Sequence, residues 1–71
     1  MSKKLQKLVD TDPRVDEWDV DITYYNSRRN TVYEIHAAEG YVFDDGTYMA
    51  MAWTVKEALG LVNYIIPEGA D

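Results

Sequence analysis

In Thr47–Ile66, TYMAMAWTVKEALGLVNYII, the hydrophobic periodicity changes at a single residue. Up to Trp53 the period is two, with Met49, Met51 and Trp53 on one side of an extended segment and Tyr48, Ala50 and Ala52 on the other. Beyond it, Val55, Ala58, Leu59, Val62 and Ile66 recur at helical spacing. Thr54 and Glu57 stand between the two patterns as a capping box, in which the threonine oxygen takes a free amide of the first turn and the glutamate reaches back. The stretch predicts a strand over about Thr47–Trp53 that runs directly into a capped helix reaching Ile66. Met49, Met51 and Trp53, the larger side chains, are its expected core face.

Upstream segments must supply the partners. Residues 2–9, SKKLQKLV, carry Leu5, Leu8 and Val9 on one side and three lysines around the rest, a short amphipathic helix that needs packing to persist. Pro13 breaks it, and Thr11 or Asp12 can cap a further turn to about Glu17. From Trp18 the period is two, with Trp18, Val20, Ile22 and Tyr24 facing one way and Asp19, Asp21, Thr23 and Tyr25 the other. Asn26–Asn30 reads as a five-residue connection to a second strand from Thr31, with Tyr33, Ile35 and Ala37 inward and Glu34 and His36 outward. Gly40 suggests a bulge or bend, rather than a stop, within a run continuing to Phe43. Asp45-Gly46 signals a type I′ turn into the third strand, and Pro67–Asp71 a stop and an acidic tail.

The resulting expectation is one α+β domain over residues 1–71. It has a short N-terminal helix, a three-stranded antiparallel meander and a C-terminal helix, α-β-β-β-α, with both helices on one sheet face. Seventy-one residues bury only about 60% of the unfolded chain's surface, so a homodimer or a larger partner is a natural source of extra stability.

Bulk composition narrows the function classes. Thirteen acidic residues against seven basic ones give a net charge of −6, which repels nucleic acid and anionic membrane and attracts basic protein surfaces. Hydrophobic content is nevertheless 46%, with six tyrosines and two tryptophans, so the acidity is not that of a disordered tail. No cysteine is present for a disulfide or thiolate metal site. The apolar runs fall far short of the roughly 20 residues that span a bilayer, and no apolar segment follows Lys3, Lys4 and Lys7 as in a signal peptide. A cytoplasmic protein is expected, with no direct nucleic-acid or membrane partner.

The candidate site is acidic. Asp10, Asp12, Asp16, Glu17, Asp19 and Asp21 place six carboxylates within twelve residues, relieved by Arg14, and Asp44 and Asp45 add two at a hairpin tip. Side chains two apart on a strand stand about 6.8 Å apart on one face, so Asp19 and Asp21 form a fixed row of negative charge. Such a row can imitate a phosphate backbone in the Arg/Lys groove of a nucleic-acid-binding protein, or can be an ordinary solvated surface. Asp10-x-Asp12 with Asp16 opens like an EF-hand, but Val15 and Asp21 occupy the positions that need Gly and bidentate Glu, and no metal site is expected. His36 is the sole histidine and cannot complete a His-based metal cluster or a Ser-His-Asp triad; on the open face it can pair with Glu34, Asp19 or Asp21. The four glycines are dispersed, with no phosphate loop, so neither an enzyme nor a cofactor is expected. Tyr25, Tyr41 and Tyr48 beside carboxylates have the composition of a protein-binding face, or else cover the sheet. Arg28 and Arg29 form a basic spot in the hairpin loop.

The short N-terminal helix, three strands, the Gly40–Gly46 hairpin GYVFDDG and the Thr54–Leu59 helix entry TVKEAL together resemble small acidic proteins of bacteriophages and other mobile elements. Anti-CRISPR and other anti-defence inhibitors are similar in size, charge and order of elements. The resemblance implies a non-enzymatic inhibitor in the bacterial host cytoplasm. It would dock on a basic nucleic-acid-binding partner such as a CRISPR effector, whose groove holds PAM duplex and heteroduplex through Arg/Lys contacts. TVKEAL is also similar to the strand-to-helix passage of HicB-type antitoxins, which implies an acidic neutraliser of a small basic RNase toxin; the proline-containing segment usual before that helix is missing here. A homodimeric assembly module is the structural alternative. The expected partner-binding residues are Asp16, Glu17, Asp19, Asp21, Tyr25, Glu34, Asp44 and Asp45.

Overall fold

A computed structural model describes residues 2–69, so Ala70 and Asp71 of the expected acidic tail lie outside the described residues. The fold is α+β, with α1 at Lys3–Thr11, β1 at Val15–Tyr25, β2 at Arg28–Ala37, β3 at Tyr41–Phe43, β4 at Met49–Ala52, α2 at Val55–Leu61 and β5 at Ile65–Pro67. Strands β1, β2 and β4 form an antiparallel sheet with β2 in the middle, and β3 pairs with β5 in a separate two-stranded sheet.

Helix α1 starts where Ser2 accepts a hydrogen bond from the Leu5 amide (3.2 Å), and its stripe buries Leu5 completely with Leu8 and Val9 half-buried. It does not resume after Pro13. Asp12 instead accepts the Arg14 amide (2.9 Å) and pairs with the Arg14 guanidinium (2.8 Å), a contact that holds the Asp12 carboxyl below its ordinary range. This local turn aims the chain straight into β1, three residues earlier than Trp18. Register shifts between Val15 and Glu17, which leaves Asp16 as the extra residue of a bulge.

The expected five-residue loop between β1 and β2 is only two residues long. Asn26 (φ 51°) and Ser27 (φ 62°) both adopt the left-handed conformation, and Tyr25 pairs directly with Arg28. This is the geometry of a type I′ turn, whose twist matches that of the flanking strands. At Asp45-Gly46, where a type I′ turn was expected, only Gly46 has positive φ (89°). Phe43 accepts from the Gly46 amide and donates to the Thr47 carbonyl (both 2.8 Å), so Asp44-Asp45-Gly46 forms a three-residue loop closed by the glycine.

The run does not continue through Gly40 by a bulge or bend: β2 ends at Ala37, Gly40 turns the chain at φ 89°, and the Tyr41 amide closes on the Ala38 carbonyl (2.9 Å). The segment beyond it leaves the main sheet as β3. Its partner, β5, comes from the end of the predicted helix. Thr54 caps α2 as expected, accepting from the Glu57 amide (3.1 Å), but α2 stops at Leu61. A 3-10 turn at Val62–Tyr64 follows, and Ile65 then pairs with Phe43, both buried. Ile65-Ile66-Pro67 has two β-branched residues and a proline, a poor helix end and a ready strand.

The faces of β4 are the reverse of the expected ones. Ala50 pairs with Ile35 and Ala52 with Tyr33, so the alanines share the inward face, where Ala52 is 3% exposed. Met51 and Trp53 are 64% and 68% exposed. Against Ala52 and Ile35 pack Leu5 of α1, Ala58 of α2 and Val62, and Val15, Phe43 and Ile65 complete the core. Small side chains let a helix approach the sheet closely, and methionines on this face would hold it away. Ala52→Leu should therefore destabilise the fold by about 1–3 kcal/mol through overpacking, whereas Met51→Ala should change it by no more than about 0.5 kcal/mol. Urea denaturation of the two variants checks this; the opposite order would restore the large side chains to the core.

Candidate functional site

Residues 17, 19, 21, 23 and 25 of β1 point away from the helices, as do 34 and 36 of β2 and 49 and 51 of β4. The register aligns them in rows across three strands. Glu17 lies opposite His36 and His36 opposite Met49; Asp19 lies opposite Glu34 and Glu34 opposite Met51. Asp21 pairs with Val32 at the next step. The open face thus has a carboxylate strip on β1, a mixed Glu34/His36 strip in the middle and a thioether strip on β4.

Electrostatics within this face are frustrated. Cross-strand like charges directly opposite each other are destabilising, and Asp19 faces Glu34. Glu34 is held above its ordinary carboxyl range, first by a hydrogen bond shared with Asp21, then by desolvation and the Asp21 charge, with His36 opposing and Asp19 adding. The His36 Nε2 atom lies 3.9 Å from Glu34 Oε1 and 4.0 Å from Asp19 Oδ2, too long for hydrogen bonds, and that nitrogen is buried without a partner.

Of the eight residues read from the sequence as the site, Glu17, Asp19, Asp21 and Glu34 converge on this face. Tyr25 shares it but stands at the exposed hairpin tip, four residues or about 14 Å beyond Asp21. Asp16 occupies the bulge outside the alternating row. Asp44 and Asp45 sit in the loop between β3 and β4, off the three-stranded sheet, where Asp45 accepts from the Thr47 hydroxyl (2.6 Å) and amide (3.1 Å). Those two contacts, the hydroxyl first, hold the Asp45 carboxyl below its ordinary value and give it a structural task in the turn. Sequence reasoning missed Met49 and Met51 as members of the open face. The available signal was that Ala50 and Ala52 are themselves at period two, and small residues are what a closely packed helix requires.

On the other side of the sheet, a shallow depression lined by Gln6, Trp18, Asp19 and Val20 is crossed by a 3.4 Å hydrogen bond from Trp18 Nε1 to Gln6 Oε1. The β1–β2 hairpin projects beyond the helices, leaving Val20, Ile22 and Tyr24 exposed on its inward side. No described helix is long and apolar enough to cross a membrane.

No protein-family model matches the chain, and neither curated proteins nor solved structures give a match.

The carboxyl crowding has a definite pH signature. Glu34 has a folded pKa above its ordinary 4.5, so its contribution to stability is full below pH 4.5 and is lost as pH rises through the folded value. Glu34→Gln should therefore raise the melting temperature near pH 7, with the gain disappearing below pH 4.5. A gain that persists unchanged at pH 3.5 would mean that charge crowding is not its cause.

Proposed function

We propose that the protein is a non-enzymatic binding module that docks its open sheet face on the nucleic-acid-binding groove of a basic partner, as an inhibitor from a phage or other mobile element would. The observation that carries this reading is the row Asp19–Glu34–Met51, in which fixed carboxylates stand beside an exposed methionine. Carboxylates at strand spacing present regular negative charge to Arg and Lys side chains, and the charge-assisted hydrogen bonds between such groups are among the strongest available. Met49, Met51 and Trp53 add an adaptable apolar contact that a phosphate backbone lacks, which favours a protein partner over general electrostatic attraction. A CRISPR effector, with its Arg/Lys-lined channels, is one partner of this chemistry, and a small basic RNase toxin is another.

Frustration within the face supports the same reading. Groups that repel in the free protein gain most when a cationic surface arrives, because each new ion pair also relieves a like-charge contact. Long-range attraction would raise the association rate and make it sensitive to salt.

A second reading, a homodimeric assembly module, is favoured by the exposed Val20, Ile22 and Tyr24 on the projecting hairpin. Sedimentation tests this second reading: a tight dimer supports the assembly module, and a monomer favours the inhibitor.

The test is affinity capture from bacterial lysates that contain candidate defence systems, with the tagged protein at low and high salt. A basic nucleic-acid-binding complex should be recovered at low salt and lost as salt rises. Asp19→Lys together with Asp21→Lys should weaken that binding by at least about tenfold, or roughly 1.4 kcal/mol, with an unchanged circular dichroism spectrum. Undiminished binding by this double variant would remove the acidic strip from the interface.

A further inference from the structure

We propose that Glu17, Asp19 and His36 form a binding site for one divalent transition-metal ion of the Zn2+ type. One potential ligand atom from each of the three lies within 4.8 Å of the other two. They are held by the sheet and not by a loop: Glu17 and His36 are direct cross-strand partners, and Asp19 follows Glu17 at the next position on the same face.

The nitrogen distinguishes this group from a solvated acidic patch. His36 Nε2 is buried, without a hydrogen-bond partner, and lies 4.0 Å from Asp19 Oδ2. A buried imidazole nitrogen with no partner carries a desolvation cost that a metal–nitrogen bond would remove. Hard cations such as Mg2+ and Ca2+ prefer all-oxygen shells, whereas one imidazole with two carboxylates suits Zn2+ and its neighbours.

The fit requires only small movements. Metal bonds of about 2.1 Å to tetrahedral ligands place the donor atoms roughly 3.4 Å apart. Glu17 and Asp19 are exposed and free to rotate by the remaining distance. Three protein ligands leave a position for water, and Glu34, with Oε1 3.9 Å from the same nitrogen, is placed to accept a hydrogen bond from that water or to join the shell. A bound dication would also offset the crowding of negative charge around Glu34. The site does not depend on the proposed partner, because it needs only this chain.

Isothermal titration of the full chain with Zn2+, alongside NMR of the His36 imidazole nitrogens, tests it. One ion per chain should bind, with the Nε2 resonance shifted on binding. His36→Gln and Asp19→Asn should each weaken binding by at least about tenfold, while Asp44→Asn with Asp45→Asn should leave it unchanged. Far-ultraviolet circular dichroism confirms that each variant is folded, and His36→Gln retains the size and polarity of its site. Absence of binding by the unmodified chain would overturn the proposal. So would equal affinity in His36→Gln, which would indicate an adventitious ion only.

Discussion

Ile35 in the middle of β2 sets the structure around it. It is fully buried, pairs with Trp18 on one side and Ala50 on the other, and lies against the core residues supplied by both helices. Because side chains alternate along a strand, placing Ile35 inward places Glu34 and His36 outward, and a shift of one residue would exchange them. Fixing this one parity fixes which residues of β1 and β4 share each face. Burial of an isoleucine of this kind contributes on the order of 1.5–3 kcal/mol, a large share of what holds a small domain folded. The open face is therefore specified from beneath, by an apolar residue that never reaches it.

What this parity assembles outside is a surface under tension. Asp19 opposes Glu34, Asp21 helps hold the Glu34 carboxyl above its ordinary range, and the His36 Nε2 atom lies among them without a partner. A domain selected for stability alone would not stack carboxylates across neighbouring strands. Both functional readings draw on the same physical state, since a cationic side chain and a metal ion each supply the missing positive charge. The row on β1 has a second consequence. β1 is an edge of the sheet, and charged side chains along an edge disfavour pairing with another copy of the same strand.

Much of the architecture was legible from local signals. Leu5, Leu8 and Val9 marked the face of α1, Thr54 marked the start of α2, and alternation from Trp18 to Tyr25 marked β1. Each depends on neighbours a few residues apart, where periodicity and capping act directly. The turn at Asn26-Ser27 was obscured because serine is a poor advertisement for positive φ, and Arg28 and Arg29 read as loop when they are strand. β5 was hidden because its partner, β3, lies more than twenty residues upstream. Asp44 donating to the Tyr64 carbonyl (2.8 Å) and Glu68 to that of Gly40 (2.8 Å) tie the ends of that pairing, and neither contact has a local signature.

The amino-acid sequence by itself determined the α+β class, the antiparallel β1–β2 pairing and the outward direction of Asp19, Asp21, Glu34 and His36, because alternation along a strand is a local property; Glu17 joined that row only because the turn at Asp12–Arg14 starts β1 at Val15. It also determined the net charge of −6 on which the proposed basic partner rests. Tertiary structure decided the parity of β4. Its pattern is apolar on both faces, so hydrophobicity could not choose between methionine and alanine, and the choice fell to the space between sheet and helix. Only residues small enough to admit Leu5 and Ala58 fit there. The displaced methionines completed the open face beside the carboxylates, and the same register brought His36 within reach of Asp19.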